Sequence, residues 1–464
     1  MSNSVVILAA GKGTRMRTGH AKSLHVAAGR TLLEWALHIA DAVDPAEISV
    51  VVGHEADQVA AMCPSGVAVV TQEPQLGTGH ATSVGLSGLK SLDATVVVLP
   101  ADMPLVTPAS LRSLVASHAA SGDAATIMTV ELPDPTGYGR ILRTGNGASG
   151  GNVSGIVEER DATPQQRAIT EVNTSVYVFD GLLLADAIDK VTDDNDQSEY
   201  YLTDVIGILT AEGHSVGAVI VSEDEGTGVN TQGQLAEVAA VLRGRINAGF
   251  LEAGVAMTDP SRVYIDAGVS VSPGTTILPD TYLLGSTTVG EGAIVGPSVE
   301  ARDSTISANA HVRYSVLDNA VVGERAVVGP YSYLRPGTVL EEGTKAGAYV
   351  EIKASVIGRN SKVPHLSYIG DAEVGEDSNV GAATVTVNYD GYNKHKTKIG
   401  DRVRIGSDTM LVAPVTIGDD AYTGAGSVIT QDVPDGALGV ERSDQRNIEG
   451  YAEKHRKRAE KEAE

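Results

Sequence analysis

The first 225 residues alternate short apolar runs with helical patterns. Val5-Val6-Ile7-Leu8 reads as a buried strand that runs into a glycine-rich turn. The pattern Leu32-Leu33…Trp35-Ala36…Ile39-Ala40 then recurs at helical spacing. Ile48-Ser49-Val50-Val51-Val52, Val67-Ala68-Val69-Val70 and Val96-Val97-Val98-Leu99 are further β-rich runs. Strand–helix alternation of this kind predicts βαβ units and a mostly parallel sheet. Ligands of such sheets sit beyond the carboxyl ends of the strands, so residues just after a strand become candidates. Residues 231–254 read as one linker helix, with Leu235, Ala239, Leu242, Ile246 and Phe250 on a single packed face.

The period then changes to six. Ile277, Leu283, Val289 and Val295 begin it, and Val316, Val322, Val328, Leu334 and Leu340 repeat it. Ile357, Val363 and Ile369 follow, then Ile399, Ile405, Leu411 and Ile417. Neither a helix nor an alternating strand has this period. Hexapeptide repeats build a parallel β-helix, and three hexads per coil, about 18 residues, imply roughly ten coils. The repeat breaks over 388–396, which reads as a loop ejected from the solenoid, and such insertions often build sites. The segment 451–464, rich in both charges, reads as a solvated helix or a disordered tail.

Composition sharpens this picture. Trp35, Phe179 and Phe250 are the only Trp and Phe residues, so the region 263–437 must fill its core with small aliphatics, as a narrow solenoid does. The formal net charge is −24, which disfavours binding to a nucleic-acid backbone or an anionic membrane surface. Cys63 is the only cysteine, which excludes an internal disulfide and a cysteine-based zinc cluster. No basic leader opens the sequence and no apolar run approaches a membrane span, so a cytoplasmic protein is expected.

The turn after the first strand, Leu8-Ala9-Ala10-Gly11-Lys12-Gly13-Thr14-Arg15-Met16, lacks both the Walker spacing and the third glycine of the dinucleotide fingerprint. It still offers free backbone N–H groups to a phosphate, with Arg15 and Lys22 nearby. Together with Lys22 it resembles the signature of the sugar-nucleotide pyrophosphorylases. Further segments fit that family: Gln72…Leu76-Gly77-Thr78-Gly79-His80-Ala81, Asp102-Met103-Pro104-Leu105, Pro135-Thr136-Gly137-Tyr138-Gly139-Arg140 and Glu199-Tyr200-Tyr201-Leu202-Thr203-Asp204. With the hexapeptide half, the chain from residue 4 to about 445 resembles the bacterial bifunctional N-acetylglucosamine-1-phosphate uridyltransferases/glucosamine-1-phosphate N-acetyltransferases.

That resemblance implies an α/β nucleotidyltransferase domain, a Rossmann-like mostly parallel sheet, over 1–229. It implies a linker helix over 230–254, a left-handed parallel β-helix carrying N-acetyltransferase activity over 255–445, and a charged tail over 446–464. Acetyl-CoA would acetylate glucosamine 1-phosphate, and UTP would then give UMP to N-acetylglucosamine 1-phosphate. Leu8, Ala9, Ala10, Gly11 and Gln72 would hold uracil and ribose, and Gly77 and Thr78 the uridine. Gly139, Glu158, Asn173 and Thr174 would hold the sugar. Asp102 and Asn230 would bind Mg²⁺, with Arg15 and Lys22 as catalytic cations. A few hard oxygen ligands beside phosphates suit that metal.

In the second half, Arg335 and Lys353 stand 18 residues apart and would stack about one rung, roughly 4.8 Å, from each other. Adjacent like charges predict an anion between them. The segment Lys362-Val363-Pro364-His365-Leu366-Ser367-Tyr368-Ile369-Gly370-Asp371 resembles the family's acetyltransferase motif. By that match His365 is the general base with Glu351 orienting it, and Arg335, Lys353, Tyr368 and Asn379 grip the sugar phosphate. Asn388 and Tyr389 lie about the amine and acetyl-CoA, Ala382, Ser407, Ala425 and Arg442 contact acetyl-CoA, and Lys394 lies in the ejected loop. The resemblance also implies a homotrimer through the β-helix.

Pro100-Ala101, Ala21, Ser23, Ala383 and the segment around Arg442 depart from the family's usual residues. The alternatives are a monofunctional pyrophosphorylase whose β-helix is structural or regulatory, and a nucleotide-sensing scaffold without catalysis.

Overall fold

The computed structural model describes residues 2–144 and 151–463. The chain divides into two compact units, Met1–Ile246 and Asn247–Glu464, and the division falls inside the helix Gln232–Glu252.

The first unit is built on one mixed sheet. Its main path runs Val216–Val221, Ala125–Glu131, Glu171–Asp180, Thr95–Pro100, Asn3–Leu8, Glu47–Val52, Ala68–Thr71. Every neighbouring pair on this path is parallel except those made by Glu171–Asp180. The unbroken apolar runs have a simple cause. Val6, Val96 and Val98 enter one hydrophobic layer, while Val5, Ile7, Val97 and Leu99 enter the layer on the opposite face. A strand covered on both faces loses the polar half of its alternation. The helix Leu32–Ala40 starts where the Thr31 hydroxyl accepts from the Glu34 N–H and the Glu34 carboxylate returns to the Thr31 N–H.

The second unit is a left-handed parallel β-helix. Its faces are three all-parallel sheets of eleven, ten and nine short strands. Ile277, Val295, Val312, Val328, Ala346 and Val363 stack in register and are buried. The hexad count needs one correction. Val316 is 42% exposed, and its neighbour Leu317 points inward at 0%. Leu317 and Val322 both point inward only five residues apart, so this hexad is one residue short and the inward phase slips by one. Thr386, 0% exposed, takes an inward place that no aliphatic fills and gives its hydroxyl to the Gly370 carbonyl at 3.1 Å.

At one corner a residue of each coil is left-handed: Ser298, Tyr314, Tyr331, Tyr349, Leu366, Ala383 and Asp408 all have φ between 45° and 61°. The tail forms the helix Tyr451–Ala463, exposed all round, with i,i+4 pairs Lys457–Glu453 and Arg458–Glu462 at 2.8 Å each. Among the described residues no helix is long and apolar enough to cross a membrane.

Candidate active sites

The first unit carries a cleft of about 700 Å³. Leu8, Ala9, Ala10, Gly11, Arg15, Lys22, Gln72, Gly77, Thr78, Asp102, Gly139, Glu158, Asn173, Thr174 and Asn230 all line it. Most stand just past a strand: Leu8 to Gly11 after the first, Gln72 after Ala68–Thr71, Asp102 after Thr95–Pro100, Glu158 after Val153–Val157. Asn173 and Thr174 instead lie within the antiparallel strand, at a break in its pairing where Ser175 is left-handed. There the Asn173 amide oxygen accepts from the Ser175 N–H at 2.9 Å and its Nδ2 donates to the Tyr177 hydroxyl at 2.6 Å.

Gln72 Nε2 donates to the Gly77 carbonyl at 3.0 Å, which ties two of the cleft-lining segments together. Gly77 has φ 108°, and a Cβ there would lie 2.7 Å from the Tyr200 carbonyl oxygen, so glycine is required twice over. The helix Thr78–Leu86 opens at this point into the cleft.

Asp102 and Asn230, far apart in sequence, converge on one cation. The Lys22 ammonium donates to Asp102 Oδ2 and, at 2.7 Å, to Asn230 Oδ1, which also accepts from Arg15 at 2.8 Å. The Val229 N–H donates to the Asp102 carbonyl at 2.9 Å and locks the two segments side by side. Two hard oxygens already turned toward a positive charge fit the donor set expected for Mg²⁺.

Burial pushes the Glu158 carboxyl above the usual carboxylate range, and the Thr203 hydroxyl at 3.1 Å partly offsets this. A carboxyl raised in the folded state contributes stability at low pH and loses it as pH rises through the folded value. Glu158→Gln is therefore expected to stabilise the protein against urea at neutral pH, with the advantage fading in mildly acidic buffer. If Glu158 holds the sugar, as the resemblance implies, the same variant should also raise the KM for the sugar phosphate several-fold.

Sequence reasoning missed Arg140, which is 1% exposed. Its guanidinium donates to the Tyr138 carbonyl just before Gly139, to Glu159 just after Glu158 at 2.6 Å, and to the Arg167 carbonyl at 3.4 Å. It thereby braces the two cleft segments that carry Gly139 and Glu158. The signal was the arginine ending the quoted Gly137-Tyr138-Gly139 run.

In the second unit Arg335 and Lys353 follow each other on successive rungs, as their spacing predicts, since Leu334 pairs with Ile352. Each cation already has a carboxylate partner, so the stack does not by itself demand a bound anion. Arg335 pairs with Glu351 at 2.7 Å, and the Lys353 ammonium lies 3.4 Å from Asp371. Glu351 thus gives its carboxylate to Arg335, where the resemblance had it orienting His365.

The remaining residues fall into separate groups. Asn388 donates to Asp371 at 2.6 Å and to the Tyr368 hydroxyl at 3.3 Å, joining the Lys353 cluster at one edge of the ten-stranded face. His365, Ala382, Ser407 and Ala425 follow one another down the other edge. The Ala383 N–H donates to the His365 carbonyl, Asp408 to Ala382 at 2.7 Å, Gly426 to Ser407 at 2.9 Å, and Arg442 to the Ala425 carbonyl at 3.0 Å. Asn379 lies on a different face, in register with Lys362 and Arg404. Tyr389 and Lys394 bridge the base of the ejected loop, where the Asp390 carboxylate is held far below its usual range, first by the Asn393 N–H and then by His395.

Ala383, at φ 59°, occupies a left-handed corner. Ala383→Gly is expected to add roughly 0.5–1 kcal/mol, the left-handed penalty less the entropy glycine brings to the unfolded chain. Chemical denaturation of the solenoid transition measures it.

The comparisons with known proteins agree with this architecture. Residues 5–145 match the MobA-like NTP transferase domain family, and residues 396–431 match the bacterial transferase hexapeptide family (six repeats). The bifunctional protein GlmU of Streptomyces avermitilis is 49% identical over 458 residues, covering 98% of this chain and 94% of that protein. The same-named protein of Mycolicibacterium vanbaalenii is 49% identical over 462 residues, covering 98% of this chain and 93% of that one. With matches at this identity covering nearly the whole of this chain and of each relative, the chain belongs to the bifunctional GlmU protein family.

Proposed function

We propose that the chain makes UDP-N-acetylglucosamine in two steps at two sites. The acetyl-transfer site converts glucosamine 1-phosphate and acetyl-CoA to N-acetylglucosamine 1-phosphate and free CoA. The cleft of the first unit joins that product to UMP from UTP and releases pyrophosphate. The observation that carries this reading is the convergence of Lys22, Arg15, Asp102 and Asn230 in one cleft, in a chain related to bifunctional GlmU proteins along both units.

In the cleft a phosphate oxygen of the sugar phosphate attacks the α-phosphorus of UTP, and the bond to pyrophosphate breaks. The attacking oxygen is already ionised, so no general base is needed. Alignment and charge neutralisation are what remain for the protein. Lys22 and Arg15 offset charge at the α-phosphate, Leu8 to Gly11, Gln72, Gly77 and Thr78 hold the nucleotide, and Gly139, Glu158, Asn173 and Thr174 hold the sugar. Asp102 and Asn230 would hold Mg²⁺, which supplies further neutralisation of the phosphates when bound.

At the second site the sugar amine attacks the thioester carbonyl and the thiolate leaves. His365 takes the proton that the amine loses, as a histidine general base does. Lys353, Tyr368 and Asn388 meet the sugar phosphate along one edge of the ten-stranded face. His365 and the row Ala382, Ser407, Ala425 stand along the other. A second copy laid on this face would bring its own edge to the first, which supports a homotrimer with acetyl-transfer sites at its subunit boundaries. The exposed Tyr331, Tyr333, Tyr349 and Leu366 give that face an apolar border for a copy to cover. Light scattering should return three times the 48.0 kDa chain mass.

The test of function supplies glucosamine 1-phosphate, acetyl-CoA, UTP and Mg²⁺, and follows thiol and pyrophosphate separately. Both should appear, with pyrophosphate trailing thiol. Pyrophosphate formed only from added N-acetylglucosamine 1-phosphate, with no thiol, would overturn the second activity.

A further inference from the structure

Asp371 entered the sequence reading only as the end of a motif, yet it ties the sugar-phosphate cluster to the root of the ejected loop. Its carboxylate accepts from Asn388 Nδ2 at 2.6 Å and faces the Lys353 ammonium at 3.4 Å. Asn388 is 8% exposed, so its amide has little water to satisfy it. An ionised carboxylate can only accept hydrogen bonds. The Nδ2 side of the Asn388 amide must therefore face Asp371, and the planar amide carries Oδ1 away from it. The same Nδ2 donates to the Tyr368 hydroxyl at 3.3 Å. With its oxygen accepting there, Tyr368 has its own O–H left to donate elsewhere.

We propose that Asp371 is a positioning residue of the acetyl-transfer site, fixing the Asn388 amide so that Oδ1 accepts from the substrate amine while the Tyr368 hydroxyl and Lys353 donate to its phosphate. The inference rests on the acetyl-transfer reading above and adds an acceptor that holds an amino sugar's ammonium, through a charge-assisted bond, more strongly than a sugar hydroxyl.

The competing explanation is that Asp371 is only a corner residue. Its φ is 51°, a left-handed position that aspartate, asparagine and glycine tolerate. This makes the test selective. Asp371→Gly keeps the corner and deletes the acceptor. Asp371→Asn keeps the corner and an acceptor but lets the amide pair in either sense. Removing a charged acceptor from a nearly buried amide should lower kcat/KM for glucosamine 1-phosphate about tenfold or more in the glycine variant. The asparagine variant should fall between that and wild type. Inhibition of acetyl transfer by glucose 1-phosphate, which has the phosphate but no amine, should not weaken in either, because a nearby negative charge has been lost. Uridylyl transfer by the same preparations controls for folding.

Both variants within twofold of wild type would show that Asp371 only turns the corner. Equal losses for glucosamine 1-phosphate and glucose 1-phosphate would refute the selective role. Should the glycine variant unfold, the asparagine variant alone still decides between these outcomes. A wild-type chain that releases no thiol would instead remove the acetyl-transfer reading, and the inference with it.

Discussion

Lys22→Ala is expected to lower uridylyl transfer by about 10²- to 10³-fold while acetyl transfer by the same chain continues unchanged. The geometry gives the Lys22 ammonium two jobs. It would face the charge that develops at the α-phosphate, and between substrates it is the counter-ion of Asp102 and a donor to Asn230. Losing one preorganised charge donor in a cleft of this kind costs the stated factor. The second job yields a distinct expectation. An ammonium and a divalent cation cannot both sit between the Asp102 and Asn230 oxygens, through size and like charge alike. Direct titration of the nucleotide-free protein with Mn²⁺ should therefore show tighter binding in Lys22→Ala than in wild type. Weaker or equal Mn²⁺ affinity would mean that the oxygens holding Lys22 are not those that would hold the metal. Asp102→Asn is the control, and should lose Mn²⁺ affinity and uridylyl transfer together.

The strands of the first unit were legible because both faces of the sheet are covered, which makes Val5–Leu8 and Val96–Leu99 read as continuous apolar runs. Asp102 was legible as a strand-end residue, but its meeting with Asn230 was not, since only the tertiary fold brings the two segments side by side. The hexad period exposed the solenoid but misplaced Val316, because a hexad shortened to five residues leaves no mark in a pattern sought at fixed spacing. Counter-ions were the least visible. Spacing put Arg335 on Lys353 but could not say that Glu351 and Asp371 already answer those charges, because each carboxylate comes from a neighbouring rung. Arg140 hid for a related reason. A buried guanidinium is identified by what surrounds it, and Tyr138, Glu159 and Arg167 come from separate segments.

His365→Ala is expected to reduce acetyl transfer by about 10²- to 10⁴-fold, with uridylyl transfer unaffected. The imidazole stands at the end of the strand Lys362–His365, one residue before a left-handed corner, and is exposed. Backbone rather than side-chain packing sets its position, as Ala348 pairs with it from the rung before and the Ala383 N–H meets its carbonyl from the rung after. Deleting the ring should therefore cost little stability, and a large kinetic loss can be read as loss of the proton acceptor. Glu351→Gln separates the two roles open to Glu351. If Glu351 orients the imidazole, the variant should lose kcat as His365→Ala does. The ion pair with Arg335 predicts otherwise: Arg335 loses its charged partner, the KM for glucosamine 1-phosphate shifts, and kcat stays within a few-fold of wild type. Thiol release followed across substrate concentrations distinguishes them, because an orienting role acts on the turnover step and a counter-ion role acts on binding the phosphate.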